Sequence, residues 1–172
     1  GGGHTIPQTP IPVSGPVPPD TSYACVVDRW GNAFSVTPSD GIYGAPVVPG
    51  LGLICSARGS QSWLDPDHPS SLMPGKRPRL TPNPAMVFKS GKVLMTYGTP
   101  GSDTQVQSMV QVFLNVVEFG MNPQQAVEAP RVATFSMPSS FWPHAYNPGQ
   151  SSAEARIDPK VIDELRSRGH KV

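Results

Sequence analysis

The chain has 172 residues, of which 37% are hydrophobic and 15% are charged, with a net charge of +1. This length fits one domain or one piece of a larger one, and the small net charge argues against a nucleic-acid-binding surface, which needs clustered Lys and Arg. No apolar run approaches the roughly 20 residues of a membrane span. The start Gly1-Gly2-Gly3-His4 shows no targeting signal and no initiator Met, so we expect a fragment or a processed product whose compartment stays open.

Residues 1–20 form a proline-rich segment that is predicted to be a linker or surface arm. Each proline fixes its own φ and pushes the preceding residue toward extended conformations. The backbone of such a segment is expected to be open to attack. The composition changes at Thr21, where a segment rich in β-forming residues begins. We therefore divide the chain into a linker, 1–20, and a folded region, 21–172.

The folded region alternates between short β-rich runs and loops rich in Gly and Pro. The predicted strands are residues 22–27, 33–37, 51–57, 85–89, 93–97, 131–135, 155–157 and the final 171–172. The first two strands, and the fourth and fifth, flank short polar turns, so we expect two hairpins. The long connection 58–84 has no periodicity, and long loops in compact domains are often functional.

Three segments have helical patterns. Apolar residues with helical spacing define the first one: Val106, Met109, Val110, Phe113, Val116 and Val117. This stripe is expected to pack in the core, with Ser102 or Asp103 as the N-cap and Gly120 ending the helix. A short helix is predicted to begin at Asn122-Pro123 and another at Asp158-Pro159. This order of elements predicts an α/β (α+β) fold, a mixed sheet faced by helices and completed by another polypeptide.

The sequence predicts no metal site and no cofactor. Asp65, Asp67 and His68 lie in a proline-rich loop, and their spacing matches no common metal-binding signature. His144 and His170 have no obvious partners and are expected at the surface.

The cysteines Cys25 and Cys55 lie within apolar runs. A pair of this kind gives no support for a disulfide framework. We therefore expect two buried thiols.

Five short motifs follow one another along residues 21–172. They are Thr21 with Val26-Val27-Asp28-x-x-Gly31-Asn32-Ala33; Lys76-Arg77-Pro78; Gly98-Thr99-Pro100-Gly101; Gly120-Met121-Asn122 with Ala126 and Ala129-Pro130-Arg131; and Arg168-Gly169-His170-Lys171-Val172. Each motif alone is weak, but together and in this order they resemble the small, C-terminal subunit of the gamma-glutamyltranspeptidase family. This family belongs to the N-terminal-nucleophile (Ntn) hydrolases.

The resemblance implies a four-layer αββα sandwich that is completed by a large subunit or N-terminal region not in this chain. It also implies that the small subunit continues for a few strands beyond residue 172. Members of the family are made as one precursor, which cleaves itself just before a threonine. That threonine then acts as the nucleophile, and its own freed α-amine acts as the base.

By this resemblance, Asp20-Thr21 is the cleavage site and Thr21 the nucleophile. A threonine hydroxyl is a poor nucleophile unless a nearby base takes its proton. A free α-amine titrates near about 7.7–8.0 and suits this task, whereas the nitrogen of an intact Asp20–Thr21 bond is an amide and cannot act as a base. The open alternative is that Thr21 is an ordinary residue at the start of a strand.

Three further positions align with the catalytic machinery of the family. Ser39 takes the place of a supporting threonine, and its alternative role is to form a turn. Gly101 and Ser102 take the place of two consecutive glycines whose backbone N–H groups form the oxyanion hole. Their alternative role is a loop that only joins a strand to a helix, or a weak phosphate cradle.

The substrate-binding positions depart from the family pattern. Arg58 and Gln61 replace a glutamine and an aspartate that hold the glutamyl α-amino group, and Leu80 and Thr81 replace a serine pair that holds the α-carboxylate. Gly41 replaces an asparagine. Loss of the acidic partner argues against standard gamma-glutamyl recognition, and Arg58 would suit an anionic acyl group. The alternative for Arg58 is a solvated surface arginine.

These residues indicate an amide hydrolase or acyltransferase that acts on gamma-glutamyl compounds such as glutathione, or on related N-acyl amides. Water or an amine would resolve the acyl-enzyme. The expected partners are the large subunit of the same precursor and a small-molecule amide, with no nucleic acid and no membrane span. The alternative is an unprocessed or non-catalytic family member that keeps the fold only.

Overall fold

The computed structural model describes residues 21–40 and 46–172. The predicted linker 1–20, with Asp20, and the position of Gly41 lie outside the described residues. The strands are β1 (Ala24–Val27), β2 (Ala33–Val36), β3 (Val47–Val48), β4 (Leu53–Ile54), β5 (Ala85–Lys89), β6 (Lys92–Tyr97), β7 (Val132–Thr134) and β8 (Ser151–Ala153). The helices are α1 (Gln105–Val117), α2 (Pro123–Glu128) and α3 (Pro159–Ser167), with short 3-10 helices at Ala57–Gln61 and Ser102–Thr104. This mixture of helices and strands confirms the α+β class.

The described strands form antiparallel pairs, β1–β2, β3–β4, β5–β6 and β7–β8. Both predicted hairpins, β1–β2 and β5–β6, are therefore confirmed. The Asp28 carboxylate closes the first hairpin by accepting hydrogen bonds from the backbone N–H of Trp30 (2.9 Å) and Asn32 (2.8 Å). The Ser35 hydroxyl donates to the carbonyl oxygen of Ala85 at 3.0 Å. This bond joins the first hairpin to the second.

The strand predicted at 51–57 is much shorter than expected. Only Leu53–Ile54 pairs, and its partner is β3, which the sequence pattern did not predict. The chain leaves the strand because Ser56 caps a 3-10 helix over Ala57–Gln61, its hydroxyl accepting from the N–H of Arg58 at 3.2 Å.

The strand predicted at 155–157 is wrong. The pairing segment is Ser151–Ala153, which lies beside β7. The N–H of Ile157 bonds back to the carbonyl oxygen of Glu154 at 3.0 Å, so the chain turns there. This turn leads into α3, where the Asp158 carboxylate caps the helix by accepting from the N–H of Lys160 at 2.9 Å.

The first turn of α1 differs from the prediction. Its N-cap residue is Thr104, without a side-chain cap bond, so neither Ser102 nor Asp103 caps the helix. The Asp103 carboxylate instead accepts from the backbone N–H of Ser140 at 2.8 Å. In α2 the predicted cap is confirmed, because Asn122 and Gln125 form a reciprocal capping box. None of the helices in the described part of the chain has the length and apolar character to span a membrane.

Two glutamines one turn apart attach α1 to the edge of β7. The Gln107 side chain donates to the carbonyl oxygen of Thr134 (3.1 Å) and accepts from its N–H (2.7 Å). Gln111 makes the same pair of bonds with Val132, at 2.8 and 3.0 Å. These bonds fix the start of α1, and with it the loop that precedes the helix.

The apolar stripe of α1 does not pack in a core within this chain. Met109 is buried, but Val106 and Val110 are 51% and 50% exposed. The prediction that the whole stripe is buried is wrong for this chain taken alone. The same holds for the cysteines, since Cys25 and Cys55 are free and exposed. All four residues of β1, which carries Cys25, are exposed, so the apolar runs form outward surfaces.

Candidate active site

The hydroxyl groups of Thr21 and Ser39 lie 2.7 Å apart, within hydrogen-bond distance. The first hairpin explains this contact, because its register pairs Ala24 with Val36. Continued outward, the same register places residue 21 opposite residue 39, and a backbone bond from Ser22 N–H to the carbonyl oxygen of Pro38 (3.0 Å) holds the two segments together. The structure therefore brings together the predicted nucleophile and its predicted supporting hydroxyl.

Arg58 reaches this hydroxyl pair from the 3-10 helix. Its side chain is buried, with 8% of the residue exposed, and its Nη2 donates a hydrogen bond to Ser39 Oγ. Its Nε lies 4.0 Å from the Asp40 carboxylate, which also accepts a hydrogen bond from the Ser56 hydroxyl at 2.9 Å. The alternative that Arg58 is a solvated surface residue is wrong.

Gln61 lies at the other end of the same 3-10 helix and is fully buried. Its Nε2 donates to the Thr81 hydroxyl at 3.3 Å. Its Oε1 has no hydrogen-bond partner among residues 21–40 and 46–172. Two of the predicted substrate-binding residues, Gln61 and Thr81, are thus in direct contact.

Gly101 and Ser102 adopt backbone conformations that favour glycine. Their φ angles are 135° and 53°, and a Cβ on Gly101 would lie 2.9 Å from the Thr104 hydroxyl oxygen. Ser102 therefore keeps a left-handed conformation despite its side chain, at a cost of about 1–2 kcal/mol. Successive N–H groups in such turns form concave sites for anions.

This loop lies close to the segment that leads from Thr21 into β1. A Cβ added to Gly98 would lie only 2.4 Å from the ring of Tyr23. The ring therefore packs directly on the backbone at Gly98. This contact brings the residues that lead into Gly101 next to the residues that follow Thr21.

An open cavity of about 810 Å³ lies beside the Gly101–Ser102 loop. Its lining includes four predicted site residues, Leu80, Thr81, Gly101 and Ser102, together with Arg79 and Asp103. The other four predicted residues, Thr21, Ser39, Arg58 and Gln61, are not among the residues that line it. The predicted site residues thus fall into two groups, one around the hydroxyls of Thr21 and Ser39 and one that lines the cavity. The Gln61–Thr81 hydrogen bond connects the 3-10 helix that carries Arg58 to the cavity lining.

Residues 139–144 form a second connection, which the sequence did not reveal. Ser140 is almost fully buried, and both its backbone N–H and its hydroxyl donate to the Asp103 carboxylate. Two residues on, the N–H of Trp142 donates to the carbonyl oxygen of Ser60 at 2.8 Å. The segment thus ties the Gly101–Ser102 loop to the 3-10 helix that carries Arg58. The only hint of this connection in the sequence was Asp103, an aspartate directly after Gly101 and Ser102.

His144 belongs to this connecting segment and is buried, so its predicted surface position is wrong. Its ring stacks on Trp63 at 4.1 Å, and His68 stacks on the same indole at 4.0 Å. Both imidazoles therefore stack on the Trp63 indole, and Trp63 and His68 line the cavity. His170 is exposed, as predicted.

The group Asp65, Asp67 and His68 serves local turns. The Asp65 carboxylate accepts from the N–H of Asp67, and His68 Nδ1 accepts from the N–H of Ser70, both at 3.0 Å. Within the described residues, no three His, Cys, Asp or Glu side chains are grouped so that they could hold a metal ion.

Comparison with known proteins identifies the family. The family model for gamma-glutamyltranspeptidase matches residues 6–172, so the chain belongs to the gamma-glutamyltranspeptidase family. It is 37% identical over 161 residues to the glutathione hydrolase-like YwrD proenzyme of Bacillus subtilis (strain 168), covering 92% of this chain and 30% of that protein. It is 35% identical over 165 residues to the acylase ACY 1 proenzyme of Pseudomonas sp. (strain SE83), covering 93% of this chain and 27% of that protein.

Solved structures share the fold. The structure of LmbA2991HD matches with a TM-score of 0.80 and 43% identity, over 87% of this chain and 27% of that one. Gamma-glutamyltranspeptidase from Pseudomonas nitroreducens, complexed with L-DON, matches with a TM-score of 0.71 and 27% identity, over 88% of this chain and 81% of that one. The fold is therefore that of the gamma-glutamyltranspeptidases, while the chain spans less than a third of the curated relatives reported above.

Proposed function

We propose that this chain is the small-subunit region of an Ntn amide hydrolase or acyltransferase, acting on gamma-glutamyl compounds or related N-acyl amides. The observation that carries the proposal is the 2.7 Å contact between the Thr21 and Ser39 hydroxyls. Support comes from relatives named as a glutathione hydrolase-like proenzyme and an acylase proenzyme.

In the proposed reaction, cleavage of the Asp20–Thr21 bond frees the α-amine of Thr21. This amine takes the proton of the Thr21 hydroxyl, whose oxygen attacks the carbonyl carbon of the substrate amide. The N–H groups of Gly101 and Ser102 bind the oxyanion of the tetrahedral intermediate. The leaving amine departs with the proton, and water or a second amine then attacks the acyl-enzyme and restores the hydroxyl.

The proposed partner is a large subunit cut from the same precursor. The exposed stripe of α1 would suit such a partner, because burying a Val or Leu side chain contributes about 1.5–3 kcal/mol. Val106, Val110 and Val117 of this stripe are each at least 43% exposed. Both curated relatives described above are named proenzymes, which supports synthesis as a precursor.

The cavity favours an acyl group without an ammonium. Among the described residues that line it, Asp103 is the only carboxylate, and Ser140 already occupies it with two hydrogen bonds. A substrate ammonium would therefore find no uncommitted anionic partner there. We propose that Leu80, Thr81 and the adjoining Gln61 contact a neutral or anionic acyl chain.

The first test is processing of the full-length precursor, followed by intact mass and N-terminal sequencing. We expect a subunit that begins at Thr21, and we expect Thr21→Ala to stay uncleaved and inactive. Ser22→Ala is the matched control, since it removes an exposed hydroxyl one residue away and should process normally. Absence of the Thr21 subunit, with unchanged behaviour of Thr21→Ala, would favour the non-catalytic alternative.

The second test addresses the acyl group. Release of a chromogenic amine is measured from a glutaryl anilide and from a gamma-glutamyl anilide, which differ by the α-ammonium. We expect the glutaryl compound to have the higher kcat/KM. Equal or reversed values would contradict the proposed acyl preference while leaving the nucleophile intact.

A further inference from the structure

We propose that Arg58 is a positioning residue for the nucleophile and does not bind the acyl group. Its guanidinium donates to Ser39 Oγ and occupies one of the two lone pairs of that oxygen, which favours the arrangement in which Ser39 donates its proton to Thr21 Oγ. The inference rests on the proposed role of Thr21 as the nucleophile, and it assigns to Arg58 a task within that same site.

Arg58 is fixed at both ends. Its backbone N–H donates to Ser56 Oγ at 3.2 Å, while its Nη2 donates to Ser39 Oγ. The Asp40 carboxylate, 4.0 Å from Nε, balances the positive charge within the protein. The ring of Phe141 lies 6.0 Å from the guanidinium carbon. One donor of the guanidinium, Nη2, is therefore engaged by the protein's own Ser39 before any substrate arrives, while Nε is buried without a hydrogen-bond partner among the described residues.

The direction of the hydrogen bonds follows from the chemistry of the groups. A guanidinium has donors and no acceptor, so in its bond with Arg58 the oxygen of Ser39 must be the acceptor. The hydroxyl of Ser39 keeps its own proton, and Thr21 Oγ lies 2.7 Å away, a normal length for an O–H···O bond. When Ser39 donates in this bond, the proton of Thr21 is left for the α-amine.

The same direction favours the developing charge. As the Thr21 proton leaves, negative charge builds up on Oγ, and a donated hydrogen bond from Ser39 stabilises it. The Arg58 guanidinium polarises the Ser39 hydroxyl and so strengthens the bond from Ser39 to Thr21. Hydrogen bonds with a charged group are about twice as strong as neutral ones. In the opposite direction, the Thr21 proton would be held by Ser39 and would be less available to the base.

The position of Arg58 separates this role from acyl binding. Arg58 is not among the described residues that line the cavity beside Gly101 and Ser102. To reach an anionic acyl group in that cavity, the guanidinium would have to move from its place beside Ser39 Oγ. A positioning role predicts a loss in kcat that is equal for all acyl donors, whereas acyl binding predicts a rise in KM for anionic donors.

The test compares Arg58→Met, Arg58→Lys and Ser39→Ala in the processed full-length enzyme, with the glutaryl and gamma-glutamyl anilides as donors. For Arg58→Met we expect kcat to fall about 10- to 100-fold with both donors, the effect of losing a charge-assisted hydrogen bond. KM should stay nearly unchanged, and Arg58→Lys should recover part of kcat. Arg156→Met is the matched control, because Arg156 lies at the surface and its ion pair within the described residues is with Glu154.

A double-mutant cycle gives the decisive readout. If Arg58 acts through Ser39, Arg58→Met should cost less than about 3-fold more when Ser39 is already Ala. Additive losses, or a KM increase limited to the glutaryl anilide, would overturn the proposal. If Arg58→Met does not fold, as judged by its unfolding temperature, Arg58→Lys takes its place in the cycle. Loss of the proposed function itself is recognised separately, because Thr21→Ala would then keep its activity.

Discussion

Replacing Asp103 by Ala should impair catalysis by releasing the Gly101–Ser102 loop. The Asp103 carboxylate accepts two hydrogen bonds from the nearly fully buried Ser140. Without it, a backbone N–H and a hydroxyl lose their partner, and each unsatisfied buried group costs about 1–3 kcal/mol. Ser102 also holds an unfavourable φ of 53°, so it is expected to relax once the carboxylate no longer holds the next residue.

The size of the effect has an upper limit. Losing a single oxyanion-hole donor costs about 100- to 1,000-fold in kcat. Because Asp103→Ala displaces the proposed donors without deleting them, we expect kcat/KM to fall by about 10- to 100-fold, below that limit. The assay is release of a chromogenic amine by processed enzyme, with the unfolding temperature measured in parallel.

A second substitution sharpens this test. Glycine tolerates a positive φ without cost, so Ser102→Gly should recover part of the activity lost in Asp103→Ala. Asp163→Ala is the matched control, since it removes an exposed carboxylate whose i,i+3 partner is Arg166. An Asp103→Ala enzyme with a lower unfolding temperature but unchanged kcat/KM would refute the reasoning.

Three further substitutions test the scaffold. Gly98→Ala should place a methyl group against the Tyr23 ring, where the gap is only 2.4 Å, and we expect a loss of about 1–3 kcal/mol in stability with slower processing, both measured on the precursor. Asn122→Ala should remove the cap of α2 and lower stability by about 1 kcal/mol without changing kcat. The hydrogen bond from Arg131 holds the pKa of Glu154 below its usual value. The stability that the ionised Glu154 contributes is therefore present above the unfolded-state pKa, and it is lost as the pH falls through the folded-state pKa. Glu154→Gln should therefore weaken the acid dependence of the unfolding temperature.

Local pattern and register account for what the sequence predicted correctly. The two hairpins, α1 and α2 follow from runs of β-formers, helical spacing and the Asn122-Pro123 start. The pairing of Thr21 with Ser39 was expected from the family resemblance, and the structure explains the contact by the register of the first hairpin. Hairpins and helices, which depend on residues that are close in sequence, could thus be predicted from the sequence.

Contacts between distant loops were not predictable in this way. The bond between Asp103 and Ser140 joins residues 37 positions apart, and no local pattern marks it. The predictions of burial failed for a different reason. An apolar run shows that a surface avoids water, but it does not show which partner covers that surface. For this reason Cys25 and the whole α1 stripe were predicted to be buried, whereas Cys25, Val106 and Val110 are exposed in this chain.

Side-chain identity matters less for the proposed reaction than for the proposed recognition of the acyl group. The hydroxyl pair is placed by hairpin register, and the proposed oxyanion donors are backbone N–H groups, which survive the change from glycine to Ser102 as long as φ stays positive. The proposed acyl-binding positions would act through side chains, so Gln61 or Leu80, where the family resemblance implies a charged or hydroxylated residue, would alter recognition directly. A chain can therefore keep the geometry of the reaction while its acyl donor changes. Arg58 lies between these two parts, and this is why the effects of its replacement on kcat and on KM separate a positioning role from a substrate-binding one.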